Sequence, residues 1–391
     1  MDSPLNTAVP VLITCPLRMA AILAEEVAAL GFPIIRQHPA GVETEATAVG
    51  AMQLNLHLRT GTRVLMRLTI GRANSPDDMY RLVNGVEWES LLPDNGYFSV
   101  ISSVDTPSID NTMYANMKCK DAIADRIRSR CGKRPDSGSD TSKAVVFLYW
   151  HGSFCSVYVD SSGEPLSKRG WRTMPFAAPM RENLAAAVIR SMRWNSASGL
   201  FINPMCGSGT LAIEAALMAR NIPSVWARSN FGFMHLRGFS RNQWKSLRTN
   251  AEHTFCDVNP GQITATDISS RAIESARHNA EMAGVKDIIR FAKCDFAETP
   301  VPLGDGVVAL NPEYGERLGI VEELEAEYRR IGDFFKQKCI GKFGYIFTGN
   351  LDLAKCVGLR PKRRIEFFNA DIDCRLLEYE MYAGSKKRPS E

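Results

Sequence analysis

The sequence of 391 residues lacks several patterns that mark whole classes of protein. It contains no apolar run of the 18 or more residues that a membrane-spanning helix needs, and residues 1–10 lack the basic and then apolar pattern of a signal peptide. It also contains no internal repeat and no low-complexity segment. We therefore expect a cytoplasmic globular protein rather than a membrane or repeat protein.

Metal-site and disulfide patterns are missing as well. The ten cysteines are spread through both halves of the chain without a Cys-x-x-Cys pair, and the six histidines are equally scattered. This distribution favours a reduced protein with small buried thiols, and it predicts no metal. The net charge of +4 is small, so an acidic partner is compatible with it but is not required by it.

The sequence does contain enough apolar material for two or three domains, since single cores stop growing well below this length. Strands and helices are predicted up to residue 159, and the stretch 161–179, rich in Gly, Pro and Ser, indicates a linker with the main boundary near residue 170. The elements predicted before this linker are strands over 11–14, 41–44, 63–69, 97–101, 144–149 and 154–159, and helices over 17–30, 48–58, 77–92 and 111–130.

From residue 200 onward, strands and helices alternate, which is typical of an α/β fold with a mostly parallel sheet and helices on both faces. An aromatic-rich stretch over 223–261 interrupts the alternation and is interpreted as an insertion or a lid. Two adjacent strands at the end predict an antiparallel edge. The elements predicted here are helices over 181–194, 211–220, 271–283, 321–339 and 351–359, and strands over 200–202, 263–267, 288–295, 306–311, 345–348, 365–369 and 375–382.

The stretch Asn203-Pro-Met-Cys-Gly-Ser-Gly-Thr210 lies between a predicted strand and a predicted helix. Gly207 and Gly209 allow a tight turn and leave room for a ligand, and ligands of open α/β sheets bind beyond the carboxyl ends of the strands. The run from residue 207 to 212 also fits the Gly-x-Gly-x-x-Ala nicotinamide fingerprint, so a dehydrogenase is an alternative. That fingerprint needs an acid about 20 positions later. The acid ending the next strand, Asp267, is much farther away, which disfavours a dehydrogenase without excluding it.

Two aspartates end successive predicted strands. Asp267 could accept both hydroxyl groups of a ribose, or it could cap the helix that begins at residue 271. We favour the ribose because Asp295 ends the next strand in the matching place. Asp295 could accept a hydrogen bond from an adenine amine, with Phe296 against the ring.

The second distinctive run, Asn311-Pro-Glu-Tyr314, follows the fourth strand of this half. Methylating an exocyclic amine is difficult because the nitrogen lone pair is delocalised into the base, so a site needs acceptors that hold the amine as its positive charge forms. The Asn311 side-chain oxygen and the Pro312 carbonyl could be those acceptors, and the Tyr314 ring could stack on an extruded base. The alternative is a proline-stabilised turn with a core tyrosine. A nucleophilic Cys206 is disfavoured because nothing places a base beside it.

Basic residues cluster in two places and could contact RNA phosphates, or they could be ordinary solvated surface residues. The cluster residues are Arg128, Arg130, Lys133, Arg134 and Lys143, followed by Lys168, Arg169 and Arg172.

Several motifs in order give the chain a resemblance to the bacterial ribosomal RNA guanine-N2 methyltransferases that join a THUMP domain to a class I methyltransferase, including the first half of the fused large-subunit enzyme and stand-alone adenine-specific-methylase-like proteins. The motifs are Ser167-Lys-Arg-Gly-Trp-Arg172, Ala178-Pro-Met-Arg-Glu-Asn-Leu184, Asn203-Pro-Met-Cys-Gly-Ser-Gly-Thr-Leu211, Asn311-Pro-x-Tyr-Gly-Glu-Arg-Leu318 and Gly358-Leu-Arg-Pro-Lys362.

The resemblance implies a ferredoxin-like unit over 1–68, a THUMP-like RNA-binding domain over 69–165, and a Rossmann-like methyltransferase domain over 166–391 that includes the linker and helix 166–198. It implies S-adenosyl-L-methionine as cofactor, structured RNA such as 23S rRNA or a ribosome assembly intermediate as partner, and Asn311, Pro312 and Tyr314 as the residues around the target base. The cofactor residues it implies are Asn203, Pro204, Cys206, Gly207, Gly209, Thr210, Asp267, Ile268, Asp295 and Phe296.

One position departs from the family pattern, which usually has two prolines before the tyrosine. Here the second is Glu313, which frees the turn and adds a carboxylate near the amine and near RNA phosphates. The expected reaction is methylation of guanine N2 in 23S rRNA. The alternatives are adenine N6 of RNA or DNA, a non-catalytic RNA-binding protein because of Glu313, and, more distantly, a nicotinamide enzyme.

Overall fold

The computed structural model describes residues 5, 7–93, 96–176, 179–314 and 321–382, without the side chain of residue 321. The chain divides into two compact units, each with its own sheet. The first consists of residues 1–168 and 228–253, and the second of residues 169–227 and 254–391. Within the described ranges, no helix is both long enough and apolar enough to cross a membrane.

The first unit is built on one eight-stranded sheet with the order β2-β3-β1-β4-β8-β7-β5-β6. Its strands are β1 (Val9–Thr14), β2 (Arg36–His38), β3 (Gly41–Ala46), β4 (Arg63–Arg72), β5 (Tyr97–Asp105), β6 (Asp136–Gly138), β7 (Ala144–His151) and β8 (Phe154–Asp160). Its helices in the first 168 residues are α1 (Ala20–Ala29), α2 (Ala48–His57), α3 (Pro76–Asn84), α4 (Trp88–Leu91) and α5 (Thr112–Cys131).

The long strand β4 joins the two halves of this sheet. It pairs antiparallel with β1 on one side and with β8 on the other. The pairing with β8 shifts register between Arg67 and Thr69. The boundary expected between residues 68 and 69 therefore falls inside β4, a strand that both halves of the sheet share. No linker separates the two halves at this point.

Local signals explain where the helices begin and end, and also where one expectation was wrong. Helix α3 begins after Ser75, whose hydroxyl accepts from the Asp78 N–H, and Pro76 stands in its first turn. It ends at Gly85, so the single helix expected over 77–92 is two helices. Helix α5 ends at Gly132, which has a φ of +73° and is the left-handed cap that glycine favours.

Residues 228–253, part of the segment interpreted as an insertion or a lid, fold with the first unit. They contain a 3₁₀ turn (Gly232–His235) and helix α8 (Arg241–Glu252), which packs on α2. The rings of Phe231, Phe233 and Trp244 form a buried cluster with centroids 5.1 to 5.3 Å apart. Arg228 lies over the Phe231 ring and donates to the Ser162 carbonyl at 2.6 Å.

Backbone contacts fix the same segment tightly. The Phe233 N–H donates to the Ser161 carbonyl at 2.9 Å. A Cβ added at Gly232 would lie 2.2 Å from the Asp160 carbonyl oxygen, so only glycine fits at this crossing. The segment is thus an integral layer of the first unit.

The second unit contains a seven-stranded sheet with the order β11-β10-β9-β12-β13-β15-β14. Strands β9 to β13 run parallel, and β15 and β14 add an antiparallel edge, so the predicted fold class is confirmed. The strands are β9 (Leu200–Asn203), β10 (Ile263–Asp267), β11 (Ile289–Lys293), β12 (Gly306–Leu310), β13 (Phe343–Thr348), β14 (Arg363–Asn369) and β15 (Ile372–Glu380). The helices are α6 (Glu182–Arg190), α7 (Thr210–Ala219), α9 (Ser270–Met282), α10 (Val321–Lys338) and α11 (Leu351–Cys356).

The strand order places a topological switch between β9 and β12. From β9 the chain moves to β10 and β11 on one side, and then returns to β12 and β13 on the other. Ligands of open α/β sheets bind in the crevice that opens at such a switch, beyond the carboxyl ends of the strands. A buried core that includes Ile202, Val308, Tyr328 and Phe335 supports one face of the sheet beside this crevice.

Candidate functional site

Four polar residues predicted for the site lie in one row at the carboxyl edge of the second sheet. Asn203 ends β9 and Asp267 ends β10, while Asp295 lies two residues after β11 and Asn311 directly follows β12. The strands carrying them are consecutive in the order β11-β10-β9-β12. Because neighbouring strands lie about 4.8 Å apart, the row spans the length of a nucleoside-sized ligand.

The loop after β9 has the open backbone that its glycines predicted. Met205, Gly207 and Gly209 all have positive φ, of 57°, 54° and 84°. A Cβ added at Gly207 would meet no atom within 4 Å, so this side of the loop is open. At Gly209 it would lie 3.0 Å from the Ala276 Cβ, so this glycine serves the close approach of α7 to α9.

Two side chains whose role here the sequence did not indicate, the half-buried Arg172 and the buried Asn279, hold the loop in place. Arg172 donates to Ser208 Oγ at 2.8 Å, to Thr210 Oγ1 at 2.9 Å and to Glu182 at 2.7 Å. Asn279 on α9 donates to the Ser208 carbonyl at 3.2 Å. Thr210, expected to bind the cofactor, therefore turns its hydroxyl toward Arg172.

Asp267 links the loop to the next helix. One carboxylate oxygen accepts from the Gly207 N–H and the other from the Ser269 N–H, both at 2.9 Å. The helix cap itself is Ser269, whose hydroxyl accepts from Ala272 N–H, so Asp267 is not that cap. The neighbouring Ile268 side chain is 67% exposed, an unusual position for an isoleucine, and offers an apolar surface beside the row.

The surroundings of Asp295 differ from the expectation in part. Its carboxylate accepts from the Ala297 N–H at 2.9 Å and from Arg330 at 2.7 Å. Burial alone would raise the pKa of Asp295, but these hydrogen bonds and the Arg330 charge lower it overall. The Phe296 ring is only 5% exposed and packs edge to face on Phe334 in the core, beneath the Arg330 guanidinium. This position does not leave a free ring face for stacking.

Two amide oxygens beside the switch point lack partners. Asn203 is 1% exposed, and its amide nitrogen donates to the Ala309 carbonyl at 2.8 Å, which directs the group along β12. The side-chain oxygens of Asn203 and Asn311 are buried and accept no hydrogen bond from any described residue. A buried acceptor left unpaired costs about 1–3 kcal/mol, so two side by side favour a ligand that donates to them.

Tyr314 is held from the β14–β15 side. Asn369 donates to its hydroxyl at 2.9 Å, and its ring meets Phe347 edge to face at 6.4 Å. Burial raises the pKa of Tyr314 far above its ordinary value, so it stays protonated. Tyr328 donates to the Glu313 carbonyl at 3.3 Å, which ties α10 to the turn. Residues 315–318 of the motif lie outside the described residues, as does Ala178 of the earlier one.

The Glu313 side chain is exposed, and its charge affects the neighbouring Glu327. Glu327 on α10 is half-buried, and its Oε1 has no hydrogen-bond partner among the described residues. Burial raises the pKa of Glu327, and the Glu313 charge raises it further. The substitution for the second proline thus places an acidic pair beside the Asn311 turn.

The remaining cofactor-loop residues are largely enclosed. Pro204 is buried. Cys206 is 8% exposed, and burial raises the pKa of its thiol, so it remains protonated and is a poor nucleophile.

The basic residues predicted to bind RNA fall into two groups. Arg169 is buried and forms an ion pair with Glu214 at 3.1 Å. The Arg172 guanidinium donates hydrogen bonds to side chains of the glycine loop. These pairings do not support the predicted phosphate contacts of Arg169 and Arg172, because each guanidinium already donates to partners within the second unit. Lys168 is exposed but pairs with Glu164 at 2.6 Å.

The basic residues of the first unit remain at its surface. Arg128 and Arg130 lie on the last turn of α5, and their side chains are 60% and 61% exposed. Arg134 pairs with the exposed Asp121 at 2.9 Å, and Lys133 and Lys143 are exposed. We refer to Arg128, Arg130, Lys133 and Arg134 as the α5 basic cluster.

The residues present fit the expected cofactor. The Gly207 side of the loop has open space, Asp267 lies at the matching strand end, and Asn203 supplies an unpartnered acceptor beside them. An exposed Ile268 adds an apolar contact for a flat base. The sequence did not indicate these roles of Arg172, Asn279, Arg330 and Glu327. The hydrogen bonds of Asn279 join residues up to 106 positions apart, and that of Arg330 to Asp295 spans 35 positions, so no local pattern marks them.

Three family comparisons cover most of the chain. Residues 169–378 match the family described as UPF0020, RMKL-like, methyltransferase domain. Residues 11–65 match the RlmL ferredoxin-like domain and residues 73–160 match the THUMP domain.

Individual relatives agree with these matches. A protein named ribosomal RNA large subunit methyltransferase K/L from Ectopseudomonas mendocina is 34% identical over 376 residues, covering 94% of this chain and 52% of that protein. The chain thus spans about half the length of the curated relatives that it matches.

Solved structures share the fold along nearly the whole chain. A protein described as an N6-adenine-specific DNA methylase from Listeria monocytogenes has a TM-score of 0.87 at 26% identity, covering 96% of this chain and 97% of that one. The methyltransferase SMU.472, solved with S-adenosylhomocysteine, has a TM-score of 0.88 at 22% identity, covering 98% of this chain and all of that one. With its ferredoxin-like and THUMP domains preceding a class I sheet, this chain belongs to the RMKL-like methyltransferase family.

Proposed function

We propose that this protein is an S-adenosylmethionine-dependent RNA methyltransferase that methylates an exocyclic base amine, with guanine N2 of 23S rRNA as its target. The observation that carries the proposal is the buried side-chain oxygen of Asn311 at the topological switch, which accepts no hydrogen bond from the residues that the structure describes. An acceptor in that position is suited to an amine, which donates hydrogen bonds and becomes positive as it is methylated.

S-adenosylmethionine supplies the methyl group. The family match, the methyltransferase names of the relatives and the neighbour solved with S-adenosylhomocysteine all support this cofactor. On this chain, Gly207 leaves the space for it, while Asp267 and Asn203 offer acceptors and Ile268 an apolar contact. The glycine loop is already fixed by Arg172 and Asn279, so little ordering is needed on binding.

The chain's own groups do the work of orientation. Asn311 Oδ1 and the Pro312 carbonyl would hold the amine so that its nitrogen faces the methyl group. They would stabilise the positive charge that develops on the nitrogen as the methyl group passes to it from sulfur, leaving S-adenosylhomocysteine. The methylated amine would then release a proton to water, and no nucleophilic side chain is needed. Tyr328 and Asn369 hold the turn and the tyrosine ring from opposite ends of the motif.

RNA is the proposed partner of the first unit. The THUMP match over residues 73–160 and the names of the relatives support an RNA substrate. The α5 basic cluster lies in that domain with its side chains exposed, so it can neutralise phosphates. The large-subunit rRNA target and cytoplasmic location rest on the same relatives.

Adenine N6 is a second candidate target. The solved structure at 26% identity is described as an adenine-specific DNA methylase, and the same acceptor pair would hold either amine. Nucleoside mass spectrometry separates the two directly, because methylation at guanine N2 and at adenine N6 gives different products.

The test uses the full chain with labelled S-adenosylmethionine and unmodified 23S rRNA. We expect Asn311→Ala to abolish methyl transfer while cofactor binding, measured by calorimetry, survives. The matched control is Asn250→Ala, which removes an exposed asparagine on α8 and should leave activity unchanged. Undiminished transfer by Asn311→Ala would refute the role given to that side chain, and failure of the unaltered chain to bind S-adenosylmethionine would refute the function.

A further inference from the structure

A second pocket lies in the second unit, between α11 and the antiparallel edge strands. It has a volume of about 570 Å³ and is open to solvent on one side. Leu359 and Leu377 form part of an apolar wall, and Lys355, Arg360, Arg364 and Tyr379 supply its polar groups.

This pocket is separate from the row of residues at the carboxyl edge. Tyr379 pairs with Gly344 near the start of β13, whereas Arg375 pairs with Thr348 at its end. Four residues of strand span about 13 Å, so the Tyr379 end of the pocket lies well below the edge that carries Asn203 and Asn311. No residue of the proposed methyl-transfer site lines it.

The charge of the pocket is positive and only partly neutralised. Arg360 and Arg364 are exposed and form no ion pair with any residue in the described ranges. Lys355 pairs with Asp352 at 2.7 Å at the rim. The basic residues between Arg360 and Arg364 do form ion pairs, since Lys362 pairs with Glu380 and Arg363 pairs with Glu378.

Tyr379 provides the second, independent observation. It is 1% exposed, and its hydroxyl makes no hydrogen bond with the described residues. Tyr379 and Arg364 both line the pocket. Buried polar groups are nearly always paired, and an anion held by the two arginines would give this one an acceptor.

We propose that this pocket binds a nucleotide, with the phosphate between Arg360 and Arg364 and the base or sugar against the Leu359 and Leu377 wall. Arginine's planar guanidinium suits a phosphate, and the apolar wall suits the flat part of the ligand. The nucleotide is either part of a bound RNA or a free mononucleotide. The RNA source rests on the proposed function, whereas the free-nucleotide source does not.

The experiment compares Arg364→Gln and Arg360→Gln with the matched control Lys362→Gln in the full chain. Two probes are used, namely adenosine monophosphate by calorimetry and a fluorescent RNA oligonucleotide by anisotropy. We expect either arginine change to weaken one probe about tenfold or more, because a charge-assisted hydrogen bond is lost, and the lysine change to have little effect. Weaker binding of adenosine monophosphate indicates that the pocket takes a free nucleotide. Weaker binding of the RNA oligonucleotide, with binding of adenosine monophosphate unchanged, indicates a nucleotide of bound RNA.

Tyr379→Phe removes only the hydroxyl and should weaken the same probe with the fold intact, which S-adenosylmethionine binding checks in every variant. Unchanged binding of both probes in the arginine variants, or an equal loss in Lys362→Gln, would overturn the proposal. Methyl transfer is measured separately. Absence of methyl transfer with pocket binding intact would therefore count against the proposed function alone.

Discussion

The side chains of the proposed site are held by neighbours that the motifs do not contain. Asn203 is directed by a carbonyl of the adjacent strand, and Tyr314 by an asparagine of the β14–β15 turn. The charge of Glu313 contributes to raising the pKa of Glu327. At this scale, the departure from the family's two prolines is an electrostatic change as well as a conformational one.

Glu327→Gln should raise thermal stability at neutral pH. A carboxyl group whose pKa is raised by folding binds its proton more tightly in the folded state. Stability is therefore lost as pH rises from the ordinary glutamate value, about 4.3, to the raised value, and the loss persists above it. Glutamine carries no such charge.

The measurement is the thermal unfolding midpoint of the unaltered protein and of Glu327→Gln from pH 4 to pH 8. The difference should be largest at the alkaline end and should vanish near pH 4. Glu323→Gln, an exposed change on the same helix, is the control and should show no such trend. A difference that is constant with pH would contradict the interpretation of Glu327.

Residue positions were predictable where a short motif carries the backbone geometry. The loop glycines follow from their order between a strand and a helix, and Asn311 follows from its place after β12. The roles of Arg172 and Arg330 were not predictable, because each depends on partners brought together only by the folded sheet. An arginine in a basic sequence looks the same whether it is buried or exposed.

Among the elements, α5 carries the basic residues on which the proposed RNA binding rests. Its last turn carries Arg128 and Arg130, and the cap at Gly132 turns the chain so that Lys133 and Arg134 follow at the same end. Arg172, by contrast, is bound to the glycine loop in the second unit. The end of α5 therefore presents a group of exposed basic side chains in the first unit.

Combining Arg130→Gln with Lys133→Gln should weaken RNA binding and flatten its salt dependence. Each lost phosphate contact lowers the slope of log affinity against log salt by about 0.7 to 0.9. Anisotropy titrations between low and physiological salt measure both quantities. Lys245→Gln on α8 is the control, since it removes an exposed charge of the same unit outside the α5 basic cluster. An unchanged slope in the double variant would remove this cluster from the interface.

Long periodic elements were predicted well, whereas short ones were not. Helix α5 and strands β7 and β8 follow the patterns expected of them. The three-residue strands β2 and β6 have no pattern of their own and exist only because a neighbour offers hydrogen bonds. The break between α3 and α4 at Gly85 was the one clear local signal that the single-helix prediction overlooked.

At the scale of the whole molecule, the sequence order and the spatial order differ. The stretch 228–253 lies between elements of the methyltransferase sheet in sequence, yet its aromatic cluster completes the first unit. Its aromatic content was visible in the sequence, but which core it would join depended on contacts such as Arg228 with Ser162.

Trp244→Ala should destabilise the first unit by about 3–5 kcal/mol, the usual cost of truncating a buried aromatic side chain. The Trp244 ring is 7% exposed and touches both phenylalanines of the cluster. Hydrogen exchange of β7 and β8 amides, followed by mass spectrometry, reports on this unit specifically. Lys245→Ala, at the next and exposed position, is the control. Equal protection in the two variants would show that the segment does not stabilise the unit.

The placement of residues 228–253 also sets an order of events on the ribosome. When residue 168 emerges, the eight strands of the first sheet are complete, but Phe231, Phe233 and Trp244 have not been made. The surface they cover stays bare while α6, β9 and α7 are synthesised. The first unit therefore cannot complete its core until part of the second unit has been synthesised, so translation couples the maturation of the two units.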